Sequence, residues 1–158
     1  MTAACRAALE GTAPDAVFLL CDGDLGASAG RLAPLVEAVE SNECDLAVAA
    51  FAVKVGGGVG AAKGFARWAI AKGSGFQARE PISGQRAMRA TTLDALLPFA
   101  PRYGMETGMT IDAVRAGHRV KEIELPLEHR ATRRNLGGFI HRFRQLLDFR
   151  RAVRARRR

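Results

Sequence analysis

Residues 16–28 read AVFLLCDGDLGAS, and the prediction of the fold starts from this stretch. A continuous apolar run of strand length ends abruptly in two carboxylates, Asp22 and Asp24, which only one glycine separates. Such a run is typical of a strand that is buried on both faces of a parallel sheet. Ligands gather beyond the carboxyl ends of strands in open α/β sheets, so the two carboxylates predict a binding site there.

The sequence around this strand alternates between helical and strand-like patterns. The pattern predicts a helix over residues 2–10, ahead of this strand. After the strand it predicts a second helix and then a second strand. The pattern predicts further helices over 62–72, 92–99 and 106–117, a strand or loop over 82–90, and a strand near a sheet edge over 119–127. Phe65 and Trp68, at helical spacing, are expected in the core. Alternation of this kind predicts a layered α/β domain.

Composition limits the class of protein. The chain has 158 residues, of which 48% are hydrophobic, enough for one domain with a real core. No apolar stretch approaches the roughly 20 residues of a membrane span, and the N-terminus lacks the layout of a signal peptide. The three cysteines have no metal-site spacing, which favours reduced thiols and a cytoplasmic location.

The basic charge of the chain is confined to its C-terminal end. The formal net charge is +8, but residues 129–158 carry +10, so the rest of the chain carries −2. Residues 137–158 are predicted to form an amphipathic helix with Phe139, Phe143, Leu146 and Val153 on one side and arginines elsewhere. This pattern predicts that the helix contacts the inner face of an anionic membrane. The alternative is that its apolar stripe docks on the domain itself.

Two like charges at a strand end call for an explanation. Asp22 and Asp24 repel each other unless a cation lies between them, and Mg²⁺ or Mn²⁺ also takes diphosphate oxygens. Gly23, Gly26, Ala27 and Ser28 leave room for such a ligand. The alternative is an ordinary solvated turn, because D-x-D is a short and common pattern.

Three segments together carry a resemblance to a known family. They are FLLCDGDLGASAGRLAPLVEAV at 18–39, PISGQRAMRA at 81–90 and YGMETGMTIDAVRAGHRVKEIELPLEHRATRR at 103–134. The first resembles the metal-binding D-x-D segment of family 2 glycosyltransferases of the GT-A fold. The other two are similar to bacterial members of the branch that contains dolichyl-phosphate mannosyltransferases and glucosyl-3-phosphoglycerate synthases. The resemblance covers nearly the whole chain.

The resemblance implies roles for individual residues. Asp22, Asp24 and His129 would bind Mg²⁺ or Mn²⁺, which bridges the diphosphate of a UDP- or GDP-linked sugar donor. Glu106 would be the general base on an acceptor hydroxyl, with a helix-capping glutamate as the alternative. The segment Ser83, Gly84, Gln85 and Arg86 would lie under the donor sugar and the acceptor, with Arg86 suited to a phosphate and a surface ion pair as its alternative.

The chain departs from the family pattern at its beginning. Family members start with strands that hold the base and ribose of the nucleotide, and no such segments precede Met1. We therefore expect an incomplete, Rossmann-like GT-A sheet with flanking helices over residues 1–136, followed by the amphipathic helix at 137–158. The expected function is metal-dependent sugar transfer to a hydroxyl or phosphate-bearing acceptor, either a lipid phosphate or a phosphorylated small molecule. The isolated chain is expected to be poorly active and prone to self-association.

Two other classes of protein remain open. A strand ending in D-x-D also begins the haloacid-dehalogenase phosphatases, but Gly26 occupies the position of their usual Thr or Val, and no adjacent Asp-Asp pair follows. The other class is a non-catalytic module that binds membranes or nucleic acid through the basic tail alone.

Overall fold

The computed structural model of the chain describes residues 1–23, 25–51, 60–101 and 104–126. Helices and strands alternate along these residues as the sequence predicts, and Gly117, at φ +83°, follows the last helix in a conformation that favours glycine. The helices are α1 (Thr2–Leu9), a 3₁₀ helix (Gly26–Leu32), α2 (Ala33–Glu40), α3 (Gly60–Ser74), α4 (Ala90–Ala95) and α5 (Met105–Arg115), and the strands are β1 (Val17–Leu20), β2 (Leu46–Phe51), β3 (Arg86–Arg89) and β4 (Val120–Leu125).

The four strands form one mixed sheet in the order β1-β3-β2-β4. Strand β3 runs antiparallel to both of its neighbours, and β4 runs parallel to β2. Arg86, the first residue of β3, pairs with Leu20 at the end of β1 and with Val48 in β2. The start of β3 therefore lies beside the carboxyl end of β1, where Asp22 follows.

The core lies on both faces of β2. Leu46 and Val48 pack with residues of α4 and α5 on one face, and Ala47 and Ala49 pack against α2 on the other. All four are at most 2% exposed. Full burial of a leucine or valine side chain contributes roughly 1.5–3 kcal/mol to folding, so this strand anchors the two layers. The α/β fold class predicted from the sequence is confirmed.

Two expectations about burial are wrong. Strand β1 is an edge strand of the described sheet, pairs antiparallel with β3 and leaves Leu19 39% exposed, so it is not buried on both faces of a parallel sheet. Trp68 is 49% exposed and is not a core residue. Helix α3 is instead buried through small residues and Ile70, and Trp68 contacts the ring of Phe65 at a centroid distance of 5.5 Å.

Several predictions concern residues outside the described part of the chain. These predictions concern Asp24, His129 and the amphipathic helix at 137–158. Strand β4 does lie at an edge of the described sheet, as expected. Across the described ranges, the search for a helix of sufficient length and apolar character to span a bilayer finds none.

Candidate active site

Asp22 lies two residues beyond the end of β1 and is exposed. Its carboxylate oxygen Oδ2 accepts a hydrogen bond of 2.8 Å from Nε2 of Gln85. Gln85 directly precedes β3 and is completely buried, and its backbone carbonyl accepts a hydrogen bond of 3.0 Å from the N–H of Ala49 in β2. The antiparallel pairing of β3 therefore brings together two polar side chains that are 63 residues apart.

Gly84 occupies the space next to the Asp22 carboxylate. A Cβ atom at this position would lie 2.7 Å from Oδ1 and 3.0 Å from Oδ2 of Asp22, closer than real Cβ contacts allow. The missing side chain thus leaves room for the carboxylate against the backbone. The close approach of the Asp22 carboxylate therefore explains why the sequence SGQR has a glycine at this position.

Arg86 is almost completely enclosed, with 1% of its surface exposed. Its Nε donates to the carbonyl of Ser83 at 2.9 Å, and Nη1 donates to Oγ1 of Thr110 at 3.0 Å. The remaining nitrogen, Nη2, has no hydrogen-bond partner among the described residues. Burial lowers the pKa of Arg86 to about 10, although the nearby charges of Glu106 and Glu122 act in the opposite direction.

The surface ion pair considered for Arg86 is therefore wrong. An arginine is rarely buried without a complete set of partners, because an unsatisfied buried donor costs free energy. Here Nη2 of a buried cation has no partner among the described residues, and the charges of Glu106 and Glu122 act on the guanidinium. Such a group is suited to an anionic ligand or to the charge of a neighbouring carboxylate.

Glu106 lies in the first turn of α5 and is half-buried. Burial raises the pKa of its carboxyl group, the charge of Arg86 lowers this pKa, and the charge of Asp22 raises it. Glu106 is thus close enough to Arg86 and Asp22 for both charges to act on it electrostatically. A raised pKa makes the carboxylate a stronger base, which is what proton removal from a hydroxyl requires.

Most of the predicted site comes together in the structure. Asp22, Glu106 and the segment of Ser83, Gly84, Gln85 and Arg86 lie together, whereas Asp24 and His129 are outside the described residues. Thr110 was not predicted. Its hydroxyl holds Arg86 and donates to the carbonyl of Glu106 at 3.1 Å. Its spacing of one helical turn from Glu106 in ETGMT is the signal that points to it.

The described residues fit a divalent cation in their chemistry. Asp22 offers hard carboxylate oxygens, Gln85 holds this carboxylate, and Gly84 makes space for it. Within the described ranges, no group of three or more His, Cys, Asp and Glu side chains converges. Asp24 and His129 are the further ligands that the sequence offers.

Comparison with solved structures identifies the fold. The chain is similar to glucosyl-3-phosphoglycerate synthase from Mycobacterium tuberculosis in complex with phosphoglyceric acid, with a TM-score of 0.70 and 26% identity over 94% of this chain and 52% of that one. The complex of the same enzyme with Mg²⁺ and UDP gives a TM-score of 0.68 and 25% identity over 92% of this chain and 52% of that chain. Its complex with Mn²⁺ and UDP-glucose gives 0.65 and 26%, over 92% and 51%.

Comparisons with protein-family models and with curated proteins find no match. The similarity to solved structures confirms the resemblance to the glucosyl-3-phosphoglycerate synthase branch that the sequence predicted. The chain spans about half the length of these structural neighbours. Its fold is therefore that of part of a GT-A glycosyltransferase of the glucosyl-3-phosphoglycerate synthase type.

Proposed function

We propose that this chain forms the metal and acceptor side of a glycosyltransferase that moves a sugar from a UDP- or GDP-linked donor to a phosphate-bearing acceptor. One observation carries the proposal: the Asp22 carboxylate, the Ser83–Arg86 segment and the half-buried Glu106 meet at one end of a sheet similar to that of a UDP-glucose-binding enzyme. The alternative function, that of a haloacid-dehalogenase phosphatase, has no comparable support.

In this mechanism Asp22 and Asp24, with His129, would hold Mg²⁺ or Mn²⁺. When bound, the cation would supply positive charge for the diphosphate leaving group of the donor. The structural neighbours contain Mg²⁺ with UDP or Mn²⁺ with UDP-glucose. Asp22 would contribute a carboxylate whose Oδ2 accepts a hydrogen bond from Gln85 and whose Oδ1 lies close to the backbone of Gly84.

Glu106 accepts the proton of the acceptor hydroxyl. Its raised pKa increases its basicity, and the charge of Arg86 opposes this rise by favouring the ionised carboxylate. The guanidinium of Arg86, whose buried Nη2 has no partner among the described residues, supplies positive charge toward an anionic oxygen of the acceptor. The neighbours bind phosphoglyceric acid or glycerol 3-phosphate, which supports an acceptor that carries phosphate.

Calorimetry with Mn²⁺ and UDP or GDP tests the metal site. Wild type is expected to bind the metal–nucleotide pair, and Asp22→Asn and Asp24→Ala are each expected to weaken binding at least tenfold. Asp94→Asn, which removes an exposed carboxylate on α4, is the matched control and should bind like wild type. Equal binding by all four proteins would overturn the proposal.

Transfer assays then distinguish the acceptors. Radiolabelled UDP-glucose and GDP-mannose are offered with 3-phosphoglycerate, with glycerol 3-phosphate or with a polyprenyl phosphate in vesicles. Product with the soluble acceptors alone indicates a small-molecule enzyme, and product with the vesicles alone indicates a lipid-phosphate enzyme. Loss of product in Glu106→Gln, with nucleotide binding retained, is the result expected of a general base.

We also propose that the protein works in the cytoplasm, with residues 137–158 against an anionic membrane. The supporting observation is the charge of the sequence, since this segment combines an apolar stripe with arginines. Co-sedimentation with anionic liposomes tests the idea against a version that ends at Asn135. Equal sedimentation of the two proteins would contradict membrane contact. The non-catalytic use of this tail, and self-association, stay predictions.

A further inference from the structure

We propose that Gln85 is a positioning residue that fixes the orientation of the Asp22 carboxylate for the cation. The inference rests on the proposed metal role of Asp22. It adds that the geometry of this ligand is set from β3, by a side chain that itself does not touch the metal. The observation that carries it is the 2.8 Å hydrogen bond from Gln85 Nε2 to Asp22 Oδ2.

The amide of Gln85 is itself held at its other end. The hydroxyl of Ser83 donates to Oε1 of Gln85 at 3.2 Å, so the carbonyl end of the amide is occupied. The NH₂ end is therefore left to face Asp22. Ser83 and Gln85 are both buried, at 3% and 0% exposure, so water does not compete strongly for these bonds.

The backbone under Gln85 is also anchored. Its carbonyl is bonded to Ala49 of the buried strand β2, and Arg86, the next residue, returns a hydrogen bond to Ser83. A rigid support of this kind places the amide, and through it the carboxylate, at a fixed position. Asp22 itself is exposed at a strand end and lacks a rigid support of its own.

Two contacts fix the orientation of the Asp22 carboxylate. Oδ2 accepts from Gln85, and the missing side chain of Gly84 lets the carboxylate lie close to the backbone. The hydrogen bond therefore sets the direction in which this ligand would be presented to the cation. Hydrogen bonds of this second-sphere kind are typically worth 10- to 100-fold in metal affinity.

Electron paramagnetic resonance of Mn²⁺ titrated into the full chain, with UDP present, measures the effect. Gln85→Met keeps the length of the side chain and removes the donor, so we expect at least a tenfold weaker Mn²⁺ affinity. Ser83→Ala frees the amide and should weaken the affinity by a smaller factor. Thr92→Val, a buried polar change on α4, is the matched control and should bind as wild type does.

The outcomes separate the two proposals. If Asp22→Asn weakens Mn²⁺ binding and Gln85→Met does not, the positioning role is overturned and the metal site stands. If Asp22→Asn binds Mn²⁺ as wild type does, both proposals are overturned. Thermal unfolding of each variant shows whether it is folded, because a merely structural role would lower the unfolding temperature and leave the Mn²⁺ affinity of the folded fraction unchanged.

A second measurement needs no variant of Gln85. In wild type labelled with ¹⁵N-glutamine, Mn²⁺ should broaden the side-chain amide signal of Gln85 and spare that of Gln77, which is exposed in a loop after α3. The selective broadening should disappear in Asp22→Asn. Equal broadening of both signals, or persistence in Asp22→Asn, would overturn the proposal.

Discussion

Two polar regions of this molecule lie on different strands of the same sheet and differ in their exposure to water. Along the β4 edge, Lys121 pairs with Glu43, Arg119 with Asp45, and Arg79 with Glu124. Most of these side chains are half exposed, and each pair is complete. At the start of β3, Gln85 and Arg86 are buried instead, and a nitrogen of Arg86 has no partner in the described part of the chain.

The difference in solvent exposure determines how much each region contributes to stability. Exposed ion pairs add little to stability, because water already solvates both charges and salt screens their attraction. Burial of a polar group that stays unsatisfied costs free energy. The arrangement at the start of β3 therefore lowers the stability of the fold, whereas the ion pairs along the β4 edge change it little. Polar side chains that stay buried at a cost in stability are the better candidates for a functional role.

Arg86→Ala should produce the largest change in stability. The substitution removes a buried side chain with two good hydrogen bonds, leaves Thr110 and the Ser83 carbonyl without this donor, and opens a cavity. We expect a loss of about 3 kcal/mol in the free energy of unfolding, measured by urea titration. A loss too small to measure would show that the buried cation is not structurally anchored, which would erase the contrast with the β4 edge.

Gly84→Ala should give the next largest effect. The added Cβ would collide with the Asp22 carboxylate at 2.7 Å, so the carboxylate or the backbone must move. Because the clash involves the end of an exposed side chain, we expect a destabilisation of about 1 kcal/mol, the low end for overpacking, together with weaker Mn²⁺ binding. In an Asp22→Ala background the same substitution should be much less costly, and a double-mutant cycle measures this coupling. Additive effects of the two substitutions would contradict the steric explanation.

Glu106→Gln should have a smaller effect, which depends on pH. Because burial raises the pKa of Glu106 in the folded state, ionisation of this group costs stability as pH rises from its ordinary value through the raised value. Near pH 4 the two proteins should be about equally stable. The variant should gain on wild type as pH increases and then keep a constant advantage. Urea titrations between pH 4 and 8 test this, and a pH-independent difference would contradict it.

Lys121→Ala should have the smallest effect. Lys121 and Glu43 are both exposed, so we expect no measurable shift in the midpoint of urea unfolding. The mutual attraction of the pair raises the pKa of Lys121 and lowers that of Glu43, and salt should weaken it. A clear destabilisation that persists in 1 M NaCl would show that the β4 edge is more than a solvated surface.

Local patterns in the sequence were enough to predict most elements of the fold. The period of apolar residues marks α2 and α5, and a run of apolar residues marks β1 and β2. The apolar run over residues 16–21 could not reveal whether its strand is central or at an edge of the sheet. Apolar character indicates that a strand tends to be buried, but it does not specify which strands pair with it. The spacing of Phe65 and Trp68 likewise places them on one face of α3 without telling which face is buried.

Candidate site residues could be named where they belong to a local motif, and contacts that rest on tertiary structure were missed. Asp22 and Glu106 belong to recognisable segments. The burial of Arg86 and the hydrogen bond between Gln85 and Asp22 depend on the pairing of β3 with β1 and β2. No pattern in a single sequence reports that pairing, and arginine is ordinarily a surface residue.

The insertion of β3 between β1 and β2 also bears on how the protein acquires its site. Gln85 and Asp22 are 63 residues apart, so they meet only after β3 has paired with strands that were made much earlier in the chain. Contacts between distant parts of a chain form slowly, since loop closure must come first. Partly folded forms that keep α2 and β2 but lack β3 would have no assembled carboxylate to offer. Metal binding would then report the pairing of β3, and the appearance of a Mn²⁺ signal during refolding could serve as a clock for this step.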